Sequence, residues 1–121
     1  MISGDFNQKG ELVFAVDLVA ADQTDYRIKA IFDTGFTGWL IVHNQDAIAL
    51  GWKRYSEPKT VQTASGITTL NVYEGIVLLD EEEFTIPVFG GSRVKDILLG
   101  VRWLRFKRLI ADYSGGVLTL D

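Results

Sequence analysis

The sequence contains no cysteine, and His43 is its one histidine. Without cysteine there is neither a disulfide framework nor a thiolate nucleophile, which fits a reducing compartment. A lone histidine cannot build a zinc site, and no Gly-x-Ser-x-Gly, P-loop or dinucleotide fingerprint is present. The inventory therefore implies no metal and no cofactor. His43 itself, just past an apolar strand, reads as a strand-end surface residue rather than a ligand. No apolar run approaches membrane-spanning length, and Met1-Ile2-Ser3-Gly4-Asp5-Phe6 lacks the basic and apolar regions of a signal peptide. A cytoplasmic protein without a membrane partner is expected. Internal repeats and low-complexity linkers are missing as well.

What is present fits a folded globule. A chain of 121 residues, 47% hydrophobic and 23% charged, is long enough for one core and one domain over residues 1–121, and too short for a bilobal architecture. The net charge of −4 repels a nucleic-acid backbone, so no nucleic-acid partner is expected. Arg93, Lys95, Arg102, Arg105, Lys107 and Arg108 crowd one late segment, which reads as a solvated face. Trp39, Trp52 and Trp103 read as core or interface packing rather than stacking platforms.

Apolar and alternating runs predict strands over residues 12–18 and 26–32, and a short helix over 45–50 with Asn44 as its N-cap and Gly51 ending it. A hairpin follows, with strands over 60–63 and 68–73 around a four-residue turn, Ala64-Ser65-Gly66-Ile67. The second strand runs on through 75–79, turns at Asp80-Glu81-Glu82-Glu83 and returns over 84–89, where Pro87 argues for a sheet edge or a strand end. Gly90-Gly91-Ser92 opens a loop toward Ile97-Leu98-Leu99-Gly100, then come a helical turn over 101–106 and a final hairpin over 109–120. Many short strands with two short helices point to a compact β-barrel or closed sandwich.

Within this frame one carboxylate is out of the ordinary. Asp33 stands at the end of the apolar run Ala30-Ile31-Phe32 and before the apolar Trp39-Leu40-Ile41-Val42. A charge so flanked needs strong hydrogen bonds. Gly35, lacking a Cβ, lets its N–H approach the carboxylate, and the Thr34 hydroxyl can reach neighbouring backbone. The triplet alone is open to two readings, a working acid or an Asx turn that ends a strand.

Three features in order carry a resemblance: the strand ending in Asp33-Thr34-Gly35, the hairpin tip Ala64-Ser65-Gly66, and Ile97-Leu98-Leu99-Gly100 before a short helix. Over nearly its whole length the chain resembles a retropepsin-like aspartic protease. Asp-Thr-Gly-Phe followed by Thr-Gly-Trp-Leu is similar to a bacterial and archaeal single-domain branch. The resemblance implies a mainly β chain, a closed β-barrel of the acid-protease type with one or two short helices. It also implies Asp33 as catalytic aspartate, Thr34 and Gly35 as its loop, and Ala64, Ser65, Gly66 and Ile67 as a flap over a peptide or protein substrate. Residues 97–100 would pack beneath the loop. Viral members have a small residue after Asp-Thr-Gly and a glycine-rich flap, where this chain has Phe36 and the single flap glycine Gly66.

One such loop per chain is half of a two-carboxylate site, so the resemblance implies a homodimer that brings two Asp33 carboxylates together. In viral relatives the chain ends interleave in a shared sheet, and residues 1–6 and 117–120 are apolar-bearing end segments that could do the same here; packing through the helix region near Trp103 and Phe106 is the other two-fold mode open to the chain. The segment Ala111-Asp112-Tyr113-Ser114-Gly115, with Tyr113 interposed, reads as a strand entering a turn rather than a second loop. Two functions are compatible with the whole: an aspartic endopeptidase, or a catalytically weak or inactive dimeric binding or scaffold module of the same fold.

Overall fold

The computed structural model describes residues 1–55, 57–63 and 66–121, with residues 61–63 described by their backbone alone. Its elements in chain order are β1 (Ile2–Ser3), β2 (Asp5–Phe6), β3 (Leu12–Val19), β4 (Asp25–Phe32), β5 (Leu40–His43), α1 (Asn44–Ala49), β6 (Lys53–Arg54), β7 (Lys59–Thr63), β8 (Gly66–Leu79), β9 (Glu82–Gly91), β10 (Leu98–Leu99), a 3-10 helix (Val101–Arg105), β11 (Leu109–Asp112) and β12 (Val117–Leu120). Period-two burial explains the strands: Phe14, Val16 and Leu18 of β3, Ala30 and Phe32 of β4, and Leu40 and Val42 of β5 all turn inward.

Backbone pairing runs β2-β3-β4-β10-β5-β9-β8-β6, and β8 pairs back onto β3 through Asp17↔Leu78 and Leu18↔Val77. Six strands thus form a closed hydrogen-bonded ring around a core that includes Phe14, Val16, Val77, Leu79, Val88, Leu99 and Trp103. The two-residue β10 is wedged between β4, which it meets in parallel, and β5, which it meets antiparallel. A second sheet has the order β1-β12-β11. Among the described residues no helix is long and apolar enough to cross a membrane.

Several local expectations are corrected. The cap of α1 is His43, whose Nδ1 accepts from Gln45 N–H at 3.0 Å while Nε2 bonds the Ser92 carbonyl at 3.1 Å. These partners assign the tautomer with the proton on Nε2. Asn44 is employed elsewhere, its Oδ1 accepting from Tyr73 Oη and Asn71 Nδ2, each at 3.2 Å. The hairpin ladder extends to Thr63↔Gly66, so Gly66 and Ile67 belong to β8 rather than to a four-residue turn; Ala64 and Ser65 lie outside the described residues. Of the acidic run only Asp80 and Glu81 turn, both at positive φ (54° and 65°), as a two-residue connection matched to strand twist requires.

Pro87 sits inside β9, an interior strand, and not at a sheet edge. It is tolerated because pairing with β5 begins only at Val88, leaving β8 as Pro87's one ladder neighbour, through Glu74. Gly90 and Gly91 remain in the strand, paired with Val42 and His43, because a Cβ on Gly90 would meet Asn44 Oδ1 and the Tyr73 ring at 2.6 Å. The basic segment is not wholly a solvated face either: Arg102 lies 5.8 Å over Trp39 and Lys107 5.8 Å over Phe84.

The last hairpin is as expected, with Asp112 ending β11 and its Oδ1 accepting from Gly115 N–H (2.9 Å) and Ser114 Oγ (3.1 Å). These bonds, the first being the larger cause, lower the Asp112 pKa from 3.8. A carboxylate with a depressed folded pKa contributes stability that is present above its unfolded value and lost as pH falls through the folded one. Asp112→Asn keeps an acceptor oxygen but not the charge. Denaturant titrations at stepped pH are expected to show the variant less stable than wild type above about pH 5, with the gap closing toward lower pH. A gap that stays constant with pH would refute the assignment.

Candidate active site

The Asp33 turn is built from strand register. Ile31 N–H donates to the Ile97 carbonyl and Asp33 N–H to the Leu99 carbonyl, each at 2.9 Å, so β10 carries the β4 ladder one residue past its end and fixes the Asp33 backbone. The chain then reverses: the Asp33 carbonyl accepts from Phe36 N–H (3.1 Å) and Oδ1 accepts from Gly35 N–H (2.8 Å). A Cβ on Gly35 would lie 3.2 Å from that oxygen, so the glycine serves the close approach. This is an Asx turn, the second of the two readings of the triplet. One carboxylate oxygen is held, while Oδ2 has no hydrogen-bond partner among the described residues. Asp33 is half-buried; Thr34 and Gly35 are exposed.

Behind the turn the segment from Phe36 to Trp39 lies against the start of the 3-10 helix. Val101 N–H donates to the Phe36 carbonyl (2.9 Å), Gly100 N–H to the Trp39 carbonyl (3.0 Å), and Trp103 Nε1 to that same Trp39 oxygen (2.8 Å). The approach is too close for any side chain at residue 100, where a Cβ would sit 1.9 Å from the Gly38 carbonyl oxygen. Phe36 packs edge-on against Phe89 (6.1 Å, 64°) and crosses Gly38, where a Cβ would meet its ring at 2.6 Å. Its ring is therefore part of the loop's support. Sequence reasoning placed residues 97–100 under the loop but missed Gly38, Phe89 and Trp103; the glycine at each end of the contact was the available signal.

The β7–β8 hairpin frames a second feature, an open groove of about 540 Å³ lined by Ile41, residues 66–70 and residues 91–94. Gly66 and Ile67 lie in its wall, with Ile67 76% exposed. Asp33 is not among its lining residues. The structure thus gathers Asp33, Thr34 and Gly35 in one turn and Gly66 and Ile67 in one groove, without a described contact between the two sets. Asp112 belongs to the other sheet and does not face Asp33 through any described bond.

No protein-family model and no curated protein matches the chain. Solved structures do. The chain is similar to a retropepsin-like aspartic protease from Rickettsia conorii, with 24% identity, a TM-score of 0.67 and coverage of 99% of this chain and 88% of that one. It is also similar to the simian foamy virus (mac) protease, with 20% identity, a TM-score of 0.53 and coverage of 80% and 99%. The fold is retropepsin-like and mainly β.

The glycine contact generates a test of the loop's support. Because the obstructing atom at residue 100 is backbone, Gly100→Ala is expected to cost about 3 kcal/mol or more, read from denaturant midpoints. Gly35→Ala, facing only the Asp33 side chain, is expected to cost clearly less. Equal effects would show that the Gly38–Gly100 approach is unimportant.

Proposed function

We propose that the protein is an aspartic endopeptidase in which two Asp33 carboxylates, one from each subunit of a homodimer, activate a water for peptide hydrolysis. The observation that carries this reading is the Asp33 turn on a retropepsin-like fold: a carboxylate fixed through one oxygen, with the other unpartnered among the described residues beside an exposed Thr34. One acid per chain is half of the required chemistry, and a two-fold axis through the turn supplies the rest.

Two carboxylates in contact cannot both ionise, so the pair holds one proton. The ionised member removes a proton from the bound water as it attacks the scissile carbonyl, and the protonated member donates to the developing oxyanion. Gly35 N–H, already on Oδ1, orients each acid without taking the oxygen that would meet its partner. The competing view, a binding module without proteolysis, leans on two departures from the viral pattern, Phe36 and the single flap glycine Gly66; the packing of Phe36 on Phe89 and across Gly38 favours a supporting role for its ring and so supports the endopeptidase reading on the first of them.

The terminal strands bear on how subunits would join. β1 pairs with β12 of its own chain, and β12 is flanked on its other side by β11. With both edges of β12 occupied, a shared sheet would use an outer edge of β1 or β11, or exchange β1 between subunits.

Asp33→Asn is expected to lower kcat/KM on an unfolded-protein or peptide library by on the order of a thousandfold. The unfolding midpoint should stay close to wild type, since the amide oxygen still accepts from Gly35. Cleavage retained by the purified variant would end the assignment. Mixing wild type with a ninefold excess of Asp33→Asn subunits, with time for exchange, should cut activity per wild-type subunit to about one tenth by forming mixed dimers. Undiminished activity from a species that sediments as a monomer would contradict the shared site.

A further inference from the structure

The groove beside the β7–β8 hairpin has an open strand edge and one charge. Between Ile67 and Leu70, β8 is laddered on its β7 side, while pairing with β9 begins only at Asn71↔Gly90. In an antiparallel strand every second residue turns its N–H and C=O away from the partner, so this stretch presents backbone groups to the groove as a template for an extended chain. On the far wall the chain leaves β9 through Ser92, Arg93 and Val94. Ile41, Ile67, Leu70 and Val94 give the groove apolar surface, Thr68, Thr69 and Ser92 give it hydroxyls, and Arg93 is the one ionisable residue in its lining.

Arg93 is exposed and has no ion-pair partner among the described residues. Its loop neighbour Lys95 carries the same sign, and the nearby Asp96 lines a different groove, together with Asp5 and Lys29. A planar guanidinium with free donors beside an open strand edge is suited to a carboxylate, which it can engage through two parallel bonds. On a chain whose net charge is −4, such a site attracts an acidic side chain at one point while the rest of the surface repels it.

We infer that Arg93 is a specificity-determining residue that selects a Glu or Asp side chain in a peptide bound as an extended strand along β8. The inference rests on the endopeptidase reading for its consequence in cleavage, but binding in the groove is separable from catalysis. The recognised partner is an extended peptide with an acidic residue at one fixed distance from the scissile bond.

The test uses the full chain and a set of peptides that differ by Glu, Gln or Lys at each position around a cleaved bond. Wild type is expected to favour Glu over Lys at one position by about fivefold to tenfold at low ionic strength, the ratio shrinking in about 0.5 M salt. Arg93→Glu should reverse the ratio. Lys95→Glu, the same charge change outside the groove lining, should leave the preference for Glu in place. Cleavage with a Glu-to-Lys ratio that Arg93→Glu does not move overturns the inference and leaves the proposed function standing. If no peptide is cleaved, the same peptides carrying a fluorophore are titrated by anisotropy. A Glu preference in binding that Arg93→Glu reverses then upholds the inference while the proposed function falls; binding without that preference, or none, overturns it.

Discussion

The tightest approach at any glycine is the backbone contact between Gly38 and Gly100, where no side chain larger than hydrogen fits at residue 100. That approach lets Gly100 and Val101 donate to the Trp39 and Phe36 carbonyls. Each glycine costs about 0.5–1 kcal/mol of extra chain entropy on folding, so the contact must return more than it takes. Its return is positional. β10 contributes only two ladder residues to each neighbour, too few to hold a turn alone, and the glycine contact extends its grip around the far side of the Asp33 loop. The backbone of the Asp33 loop is thereby held from before by Leu99 and from behind by residues 100–103.

Aromatic packing supports that grip. Trp103 is fully buried, stands edge-on to Trp39 (5.0 Å) and Phe84 (5.1 Å), and gives its indole N–H to the Trp39 carbonyl. Phe106 covers the group from outside, stacked on Phe84 at 5.6 Å. A buried Trp carries roughly 3–5 kcal/mol by truncation, of the same order as the whole margin by which a domain of this size is stable. Because Trp103 bonds the loop it supports, core packing and turn geometry are coupled: loosening one releases the other.

A mainly β chain, most of its strands in chain order and the Asp33-Thr34-Gly35 turn were legible in local patterns, namely alternation, turn residues and an acid between apolar runs, while the retropepsin-like fold was legible only through the resemblance those motifs carry. What was not legible depended on partners distant in sequence. Asn44 has the chemistry of a cap, but Tyr73 and Asn71 claim its oxygen and His43 takes its place. Pro87 and the Gly90-Gly91 pair look like strand breakers, yet Pro87 falls one residue before β5 begins to pair and Gly90 is required where Asn44 and Tyr73 converge. Basic residues 102 and 107 read as solvent-facing until aromatic rings far along the chain are placed beneath them. In each case a tertiary contact reassigned a residue whose local preference was real.

β8 shows how one strand can serve two requirements that conflict. From Asn71 to Leu79 it is a member of the closed ring, with β9 along one side and Val77 and Leu79 fully or almost fully buried. From Ile67 to Thr69 it is exposed and, among the described residues, laddered only to β7. Opening free energies follow buried apolar contact and ladder pairing, so the two ends of this strand differ in how readily they separate from their neighbours. Under the proposed function, a floor that positions an acid must not move, whereas a wall that admits an extended chain must accept a new strand beside it. Placing both on one continuous strand means that a chain docking along residues 67–70 is aligned by the same backbone that, through β9 and β5, reaches the register of β10 and hence of Asp33.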